Sequence, residues 1–435
     1  MTAPGAAAQD AGVRAPTNVV AATVAGNALE FYDFVTYSFF AVYIGKAFFP
    51  ATTPFMSLLL SVAVFGVGFV TRPLGGLLIG AMADRVGRKP AMLLTIALIT
   101  VGTMGLALTP SYESIGIAAP IIVVLARLVQ GLALGGEVGP ATAFLVEIAP
   151  PGKRGLYTSW QIASQGIASL AAGIVGLTMS AMLTKDELQA WGWRVPFALG
   201  LLLIPLALYM RKKLPETLHE GHGGGSSGAA APSVSAASVF ARFARPLLLL
   251  LLITISATVS GYVSLYMTTY AITVLHLPAT ISMAATVTLG AATLVFALVG
   301  GWFSDKWGRK PAMLWSRLAV AALVFPAFLW LTQAPSLTTL LVATVLVGGA
   351  NAMFAASSIP VTAELLPPQV RALGVSLVYA IGVTLFGGTT QLVVTWLIEK
   401  TGNPMAPAWY VVGTSVLGVI AVVLVPETGR KTLER

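Results

Sequence analysis

Apolar stretches of about 20 residues recur along the chain, separated by short runs that hold most of the charges, prolines and glycines. Twelve are counted, at approximately 19–47, 55–83, 91–109, 116–147, 155–183, 194–213, 246–274, 281–304, 312–332, 336–363, 372–399 and 408–426. Each matches the thickness of a bilayer core, so the pattern predicts an all-α membrane protein of twelve transmembrane helices in two six-helix halves. The one long break, GHGGGSSGAAAPSVSAAS from Gly221 to Ser238, has no apolar period and reads as a flexible linker. The expected organisation is a tail over 1–18, an N-terminal bundle over 19–213, a linker over 214–245, a C-terminal bundle over 246–426 and a tail over 427–435.

Internal repetition sharpens the picture. GAMADRVGRKP, from Gly80 to Pro90, returns as GGWFSDKWGRKP, from Gly300 to Pro311, with Asp84 and Asp305, Arg88 and Arg309, and Lys89 and Lys310 each 221 residues apart. Glu147 with Arg154 recurs as Glu364 with Arg371, and the Pro-Glu-Thr at Pro215 recurs at Pro426. The halves therefore derive from one duplicated unit, a transporter layout that places a substrate site near the midplane between them. In each basic turn glycine lets the backbone reverse, the aspartate can accept from helix N-terminal amides, and the Arg-Lys pair suits an anionic headgroup layer.

Composition then removes alternatives. Of the 435 residues 57% are hydrophobic and 9% charged, a balance outside the range of ordinary soluble domains. The net charge of +9 is not a nucleic-acid signature, because 18 of the 25 Lys and Arg residues fall in the segments on the side of both termini. That bias places both ends on the cytoplasmic side. Cysteine is absent and the three histidines lack ligand spacing, so no metal site or cofactor is expected. No phosphate-binding Gly-Lys-Ser/Thr loop or nucleophile-base pair emerges, which argues against an ATPase or another enzyme. The first 18 residues lack the apolar core of a signal peptide and read as a cytoplasmic tail.

Ionisable groups inside spans are costly and mark function. In the first span Asn27, Glu30, Asp33 and Tyr37 fall within an arc of about 120° at 100° per residue. Two carboxylates three residues apart repel, which suits one of them to carrying a proton. Either can instead be a structural partner of a basic group. In the fourth span Arg127, Gln130 and Glu137 share a face, and Arg127 can grip a carboxylate through a planar fork or pair permanently with an acid. Tyr157, Gln161, Ser164 and Gln165 line a stripe on the fifth span, suited to ligand oxygens or to interhelical bonds. Away from their ends the C-terminal spans carry a single formal charge, Arg317. There Tyr262, Tyr266 and Tyr270 form a stripe with Thr269, joined by Asn351, Tyr379, Thr390 and Gln391, for packing or for a pocket wall.

These features together resemble the major facilitator superfamily over nearly the whole chain. GNALEFYDF, FVTRPLGG around Arg72, RLVQGLALGGE and WGWRVPF resemble its metabolite:proton symporters, and GLYTSWQIASQG with GVTLFGGTTQ is most similar to the citrate and tricarballylate branch. The resemblance implies a rocker-switch carrier importing citrate or a related tricarboxylate with protons. It implies Arg127 for substrate or coupling, Glu30, Asp33 and Glu137 for the proton route, and Asp84, Arg88, Asp305 and Arg309 for gating loops. Gln130, Tyr157, Gln161, Gln165, Tyr266, Tyr270, Asn351, Tyr379 and Gln391 complete the expected substrate set. Against nearly three negative charges a single Arg127 is a thin counterweight, so protons, Arg72 or Arg317 contribute, or the ligand is a less charged acid. A carrier of a betaine, a dicarboxylate or an aromatic acid, a drug exporter, and a membrane receptor are the rival readings. The expected partners are substrate, protons and lipid, with the chain as a monomer.

Overall fold

The computed structural model describes residues 17–86, 88–135, 145, 148–150, 152–212, 236–366, 374 and 378–429. Each of the twelve expected stretches falls on helix there. The first half comprises α1 (Thr17–Phe39), α2 (Ala41–Phe48), α3 (Pro54–Val70), α4 (Arg72–Val86), α5 (Arg88–Leu108), the short α6 (Tyr112–Ile115), α7 (Ala118–Gly135), α8 (Arg154–Met182), α9 (Lys185–Ala190) and α10 (Val195–Lys212). The second comprises α11 (Ala236–Thr273), α12 (Ala279–Trp307), α13 (Arg309–Gln333), α14 (Leu337–Glu364), a π-helical segment (Ala380–Gly387), α15 (Gly388–Thr401) and α16 (Ala406–Leu424). Among the described residues nine helices are long and apolar enough to cross a membrane, and α5 adds a shorter apolar run over Leu93–Leu108.

Local chemistry explains where these helices start and stop. Thr53 caps α3 by accepting from the Met56 amide, with Pro54 at the first helical position, where its missing N–H costs nothing. Thr184 and Glu187 form a reciprocal capping box on α9. Gly308, with φ of 107°, turns the chain from α12 into α13.

Two single spans expected from the apolar pattern bend instead. The first bends at Phe40 (φ −100°, ψ 12°) between α1 and α2, although Phe40 still donates to Thr36 O and Ile44 to Phe40 O. The second bends at Thr71, because Pro73 brings no N–H to the ladder and the Thr71 hydroxyl turns to Leu128 O at 2.7 Å. A third difference concerns the break between halves: α11 begins at Ala236, inside the stretch read as linker, and bends at Phe243 just before Pro246. The rest of that stretch, from 214 to 235, lies outside the described residues.

Polarity runs opposite to that of a water-soluble protein. Outward faces expose Val70, Leu77, Val101, Ile117, Leu202 and Trp315, while Glu30, Asp33, Arg72, Arg127 and Arg317 are buried. Only a hydrocarbon solvent makes that arrangement favourable. The halves meet most closely along α8 and α12, where a Cβ on Gly290 would lie 2.2 Å from Leu170 N and one on Gly166 2.5 Å from Leu294 N. Glycine there lets two backbones approach closely, as small residues do in membrane helix pairs. Ser38 of α1 joins the halves elsewhere, accepting from Gln391 Nε2 on α15 at 2.5 Å.

Candidate substrate and proton site

Three helices of the first half bring one polar chain together. Asp33 projects from α1, Thr103 from α5, and Arg127 and Gln130 from one face of α7, three residues apart. Arg127 Nη1 donates to Gln130 Oε1 at 2.7 Å, Gln130 Nε2 donates to Thr103 Oγ1 at 3.1 Å, and Thr103 Oγ1 donates to Asp33 Oδ2. All four side chains are buried. Every donor in the chain points toward the carboxylate, so a change at Arg127 is transmitted to Asp33 through two neutral groups. Asp33 Oδ1 makes no hydrogen bond and faces Gly200 of α10, where a Cβ would lie 2.3 Å away.

The arginine end of this chain is set in aromatic rings. The Arg127 guanidinium lies 4.4 Å from the Tyr37 ring centre and 5.5 Å from that of Phe34. Arg72, outside the substrate set expected from sequence, lies over Phe69 at 3.8 Å and Phe34 at 4.6 Å. Tyr262 of α11 closes the box from the second half, 5.4 Å from the Phe69 ring and 6.1 Å from Phe65. Arg72 Nε and Nη2 and Arg127 Nε are buried without a hydrogen-bond partner. Among the described residues neither arginine is in an ion pair; the pairs there are those of Arg309.

The other expected residues divide. Gln161 donates to Asn27 Oδ1 at 3.1 Å and Asn27 donates to Ser164 Oγ at 2.5 Å, a buried bridge between α1 and α8. Tyr157 lies in the first turn of α8, near the basic turns and away from Arg127, and Gln165 is half-buried one turn beyond Gln161. The tyrosine stripe of α11 splits: Tyr266 accepts from Thr395 at 2.9 Å, whereas Tyr270 donates to Pro404 O at 2.8 Å. Asn351 accepts from Arg317 Nη1 at 3.2 Å, and Tyr379 is half-buried just before the π-helical segment. Glu30 is buried on α1. Glu137 lies outside the described residues, as do the side chains of Asp84 and Arg88.

A second assembly ties the halves together at the face carrying the basic turns. Asp305, on α12, accepts from the Gly155 and Leu156 amides at 2.7 and 2.8 Å, capping the N-terminus of α8 across the boundary. Arg309 grips Asp305 at 2.7 Å and Glu364 at 3.2 Å, and Thr428 donates to Glu364 at 2.7 Å. Glu427 accepts from the Arg309 and Lys310 amides at 2.9 and 3.0 Å, capping α13. Burial pushes the Glu427 carboxyl up, but the amides of Gly429, Arg309 and Lys310 and the Arg309 charge outweigh it and hold the group below its ordinary value.

Two six-helix halves, a buried cation wired to a buried carboxylate, and a charged latch at one face define a secondary membrane carrier. Comparison with known proteins agrees. The "Sugar (and other) transporter" profile matches residues 18–222 and 223–435. The chain is 35% identical to the citrate-proton symporter of Salmonella typhi over 403 residues, covering 91% of each protein. It is 34% identical to that of Klebsiella pneumoniae, covering 91% of this chain and 88% of the other. The proline/betaine transporter of Escherichia coli K12 is 32% identical over 95% of this chain and 84% of its own length. Among solved structures a D-xylose-proton symporter superposes with a TM-score of 0.75 at 19% identity, covering 96% of this chain and 99% of that one, which speaks to fold alone. The chain belongs to the sugar (and other) transporter family and is a multi-pass carrier, not an enzyme.

Proposed function

We propose that this protein is a proton symporter of the bacterial inner membrane that imports citrate or a related tricarboxylate by alternating access. The observation that carries the reading is the Arg127–Gln130–Thr103–Asp33 chain, with the 35% identity to a citrate-proton symporter supplying the substrate class. Arg127 holds a substrate carboxylate. As it turns to the anion, the donor chain to Asp33 slackens and the carboxyl takes a proton in place of the lost hydrogen bond, so substrate and proton favour each other. Glu30 and Glu137 extend the proton route. Tyr266, Tyr270, Tyr379 and Gln391, with Gln161 and Gln165, shape the cavity walls as the halves rock. The latch of Asp305 and Arg309, with Asp84 and Arg88 as its counterparts in the first half, gates the cytoplasmic face. Both termini are cytoplasmic, the six-helix bundles over 19–213 and 246–426 move as the two bodies, and a lipid-embedded monomer suffices.

Uptake of labelled citrate into proteoliposomes with an acidic exterior tests this. Accumulation that collapses with a protonophore and is displaced by tricarballylate is the expected result. Asp33→Asn should abolish proton-driven accumulation while sparing citrate exchange at equilibrium. Accumulation by Asp33→Asn at the wild-type level would place the proton elsewhere. A zwitterion carrier is the second reading, favoured by the 32% identity to proline/betaine transporters. It predicts betaine uptake and no displacement by tricarballylate.

A further inference from the structure

Among the described residues Arg72 has aromatic neighbours but no acid to offset its burial. A guanidinium withdrawn from water is ordinarily neutralised by an acid and has its N–H groups matched. Arg72 is 3% exposed, yet among the described residues no carboxylate pairs with it, and its Nε and Nη2 make no hydrogen bond. Those two nitrogens form one edge of the guanidinium, the edge that matches the two oxygens of a carboxylate. Phe69 and Phe34 hold the flat face at 3.8 and 4.6 Å, which fixes the plane and keeps that edge available.

Arg127 presents the same edge in the same box. Its Nε is unmatched, and a Cβ on Gly68 would lie 3.6 Å from both Nε and Nη2, so the glycine keeps a side chain off that edge. The two guanidinium groups approach one ring, Phe34, at 4.6 and 5.5 Å. Two like charges held this close, with Asp33 reached only through Gln130 and Thr103, repel each other until an anion arrives. Tyr262, contributed by the other half, packs on Phe69 at 5.4 Å and Phe34 at 6.3 Å, the rings that hold Arg72, which puts the box at the boundary that alternating access opens.

We propose that Arg72 is a second substrate-holding cation, and that Arg72 and Arg127 together form a two-guanidinium site selecting organic anions with at least two carboxylates. The proposal rests on the symport reading above. With the transported proton on Asp33, the box carries two positive charges, and a ligand bearing two negative charges neutralises it. A zwitterion or monocarboxylate leaves one buried guanidinium unpaired, a penalty that gives the site its discrimination.

The test is equilibrium binding by calorimetry to the purified full-length protein, with tricarballylate, glutarate, acetate and glycine betaine as probes. Wild-type protein should bind tricarballylate and glutarate at least about tenfold more tightly than acetate or betaine. Arg72→Gln should weaken tricarballylate about 10- to 100-fold, with acetate changed by less than about threefold. Arg72→Lys should fall between, because it keeps the charge and loses the fork. Wild-type affinity for tricarballylate in Arg72→Gln would overturn the proposal and leave the symport reading standing. Failure of the wild-type protein to bind any carboxylate would overturn both. Should Arg72→Gln not elute as a monodisperse species, Arg72→Lys and the wild-type ranking decide: a wild-type preference for betaine, or an unaltered Arg72→Lys, overturns it.

Discussion

Asp305→Asn separates the latch from the rest of the fold. In the wild type one carboxylate accepts two α8 amides at 2.7 and 2.8 Å and pairs with Arg309 at 2.7 Å, and the two acidic-basic side chains are 11% and 4% exposed. Asparagine has nearly the same shape, keeps one acceptor oxygen and loses the charge. One amide bond therefore persists as a neutral bond, the other is lost, and Arg309 retains Glu364 as its charged partner together with the neutral Ser304 hydroxyl at 3.1 Å. Losing the charge-assisted components should disfavour the closed face by about 2–3 kcal/mol, or about 30- to 150-fold in the closed-to-open ratio. Fold stability should change less, because both halves keep their own cores.

The absence of cysteine makes the measurement direct. Ser159→Cys puts a single thiol at the contact between α8 and α12, where Ser159 is fully buried and a Cβ on Gly301 would lie 2.6 Å from its Cβ. An impermeant maleimide reaches that thiol only when the face opens, so the labelling rate in inside-out vesicles follows the open population. Asp305→Asn should raise the rate by the factor above, whereas Lys306→Asn, which removes an exposed neighbouring charge, should leave it within about twofold. Equal rates for Asp305→Asn and wild type would refute the latch, and equal acceleration by both variants would reduce it to surface charge.

Three further outcomes follow from individual contacts. Thr103→Val keeps the shape but removes the hydroxyl joining Gln130 to Asp33, so proton-driven uptake should fall about 10- to 100-fold with the gel-filtration profile unchanged. Gly131→Ala would set a Cβ 1.8 Å from Gly68 O and 2.5 Å from Thr71 Oγ1, forcing α7 away from α3 and α4; a destabilisation of about 1–3 kcal/mol should appear as a lower melting temperature in detergent. Glu427, held below its ordinary value of 4.5, contributes fully above that pH and loses its contribution as the pH falls through the depressed value. Labelling of the Ser159→Cys thiol should therefore rise on acidification in the wild type, while Glu427→Gln should label faster at neutral pH and respond less to acid.

Much of this was legible from spacing alone, for definite reasons. Span length follows from bilayer thickness, and burial of Asp33 and Arg127 follows from the cost of exposing charge to hydrocarbon. The aspartate's capacity to accept helix amides was equally readable from the basic turns, but that Asp305 caps α8 of the opposite half depends on tertiary docking. Steps of four put Tyr262, Tyr266 and Tyr270 on one stripe, yet each step drifts about 40° and climbs about 6 Å, so the three meet different neighbours. Arg72 was readable only as one of two further cations, beside Arg317, that could offset a multiply charged ligand: it follows a bend, and with Pro73 read as interior to one straight span its position against Phe69 and Phe34 has no sequence signal.

The duplicated architecture also shows why the halves do different work. In the first half α1, α5, α7 and α10 surround an acid, Asp33, tied to a cation by neutral hydrogen-bonding groups. The corresponding spans of the second half, α11, α13, α14 and α16, surround a cation, Arg317, which donates to Asn351 at 3.2 Å and to Ser260 and Ser415 at 2.7 Å each. None of those partners titrates, and a guanidinium holds its proton throughout the physiological range. Arg317 is therefore a constant charge that knits its bundle together, whereas the Asp33 cluster can alternate between charged and neutral. On the symport reading, proton binding changes the energetics of the first half alone, and the second half answers through the shared boundary at Tyr262, Gln391 and Asp305. One variable centre facing one fixed centre is sufficient for coupling, because a proton needs only to bias which way two otherwise similar bodies lean.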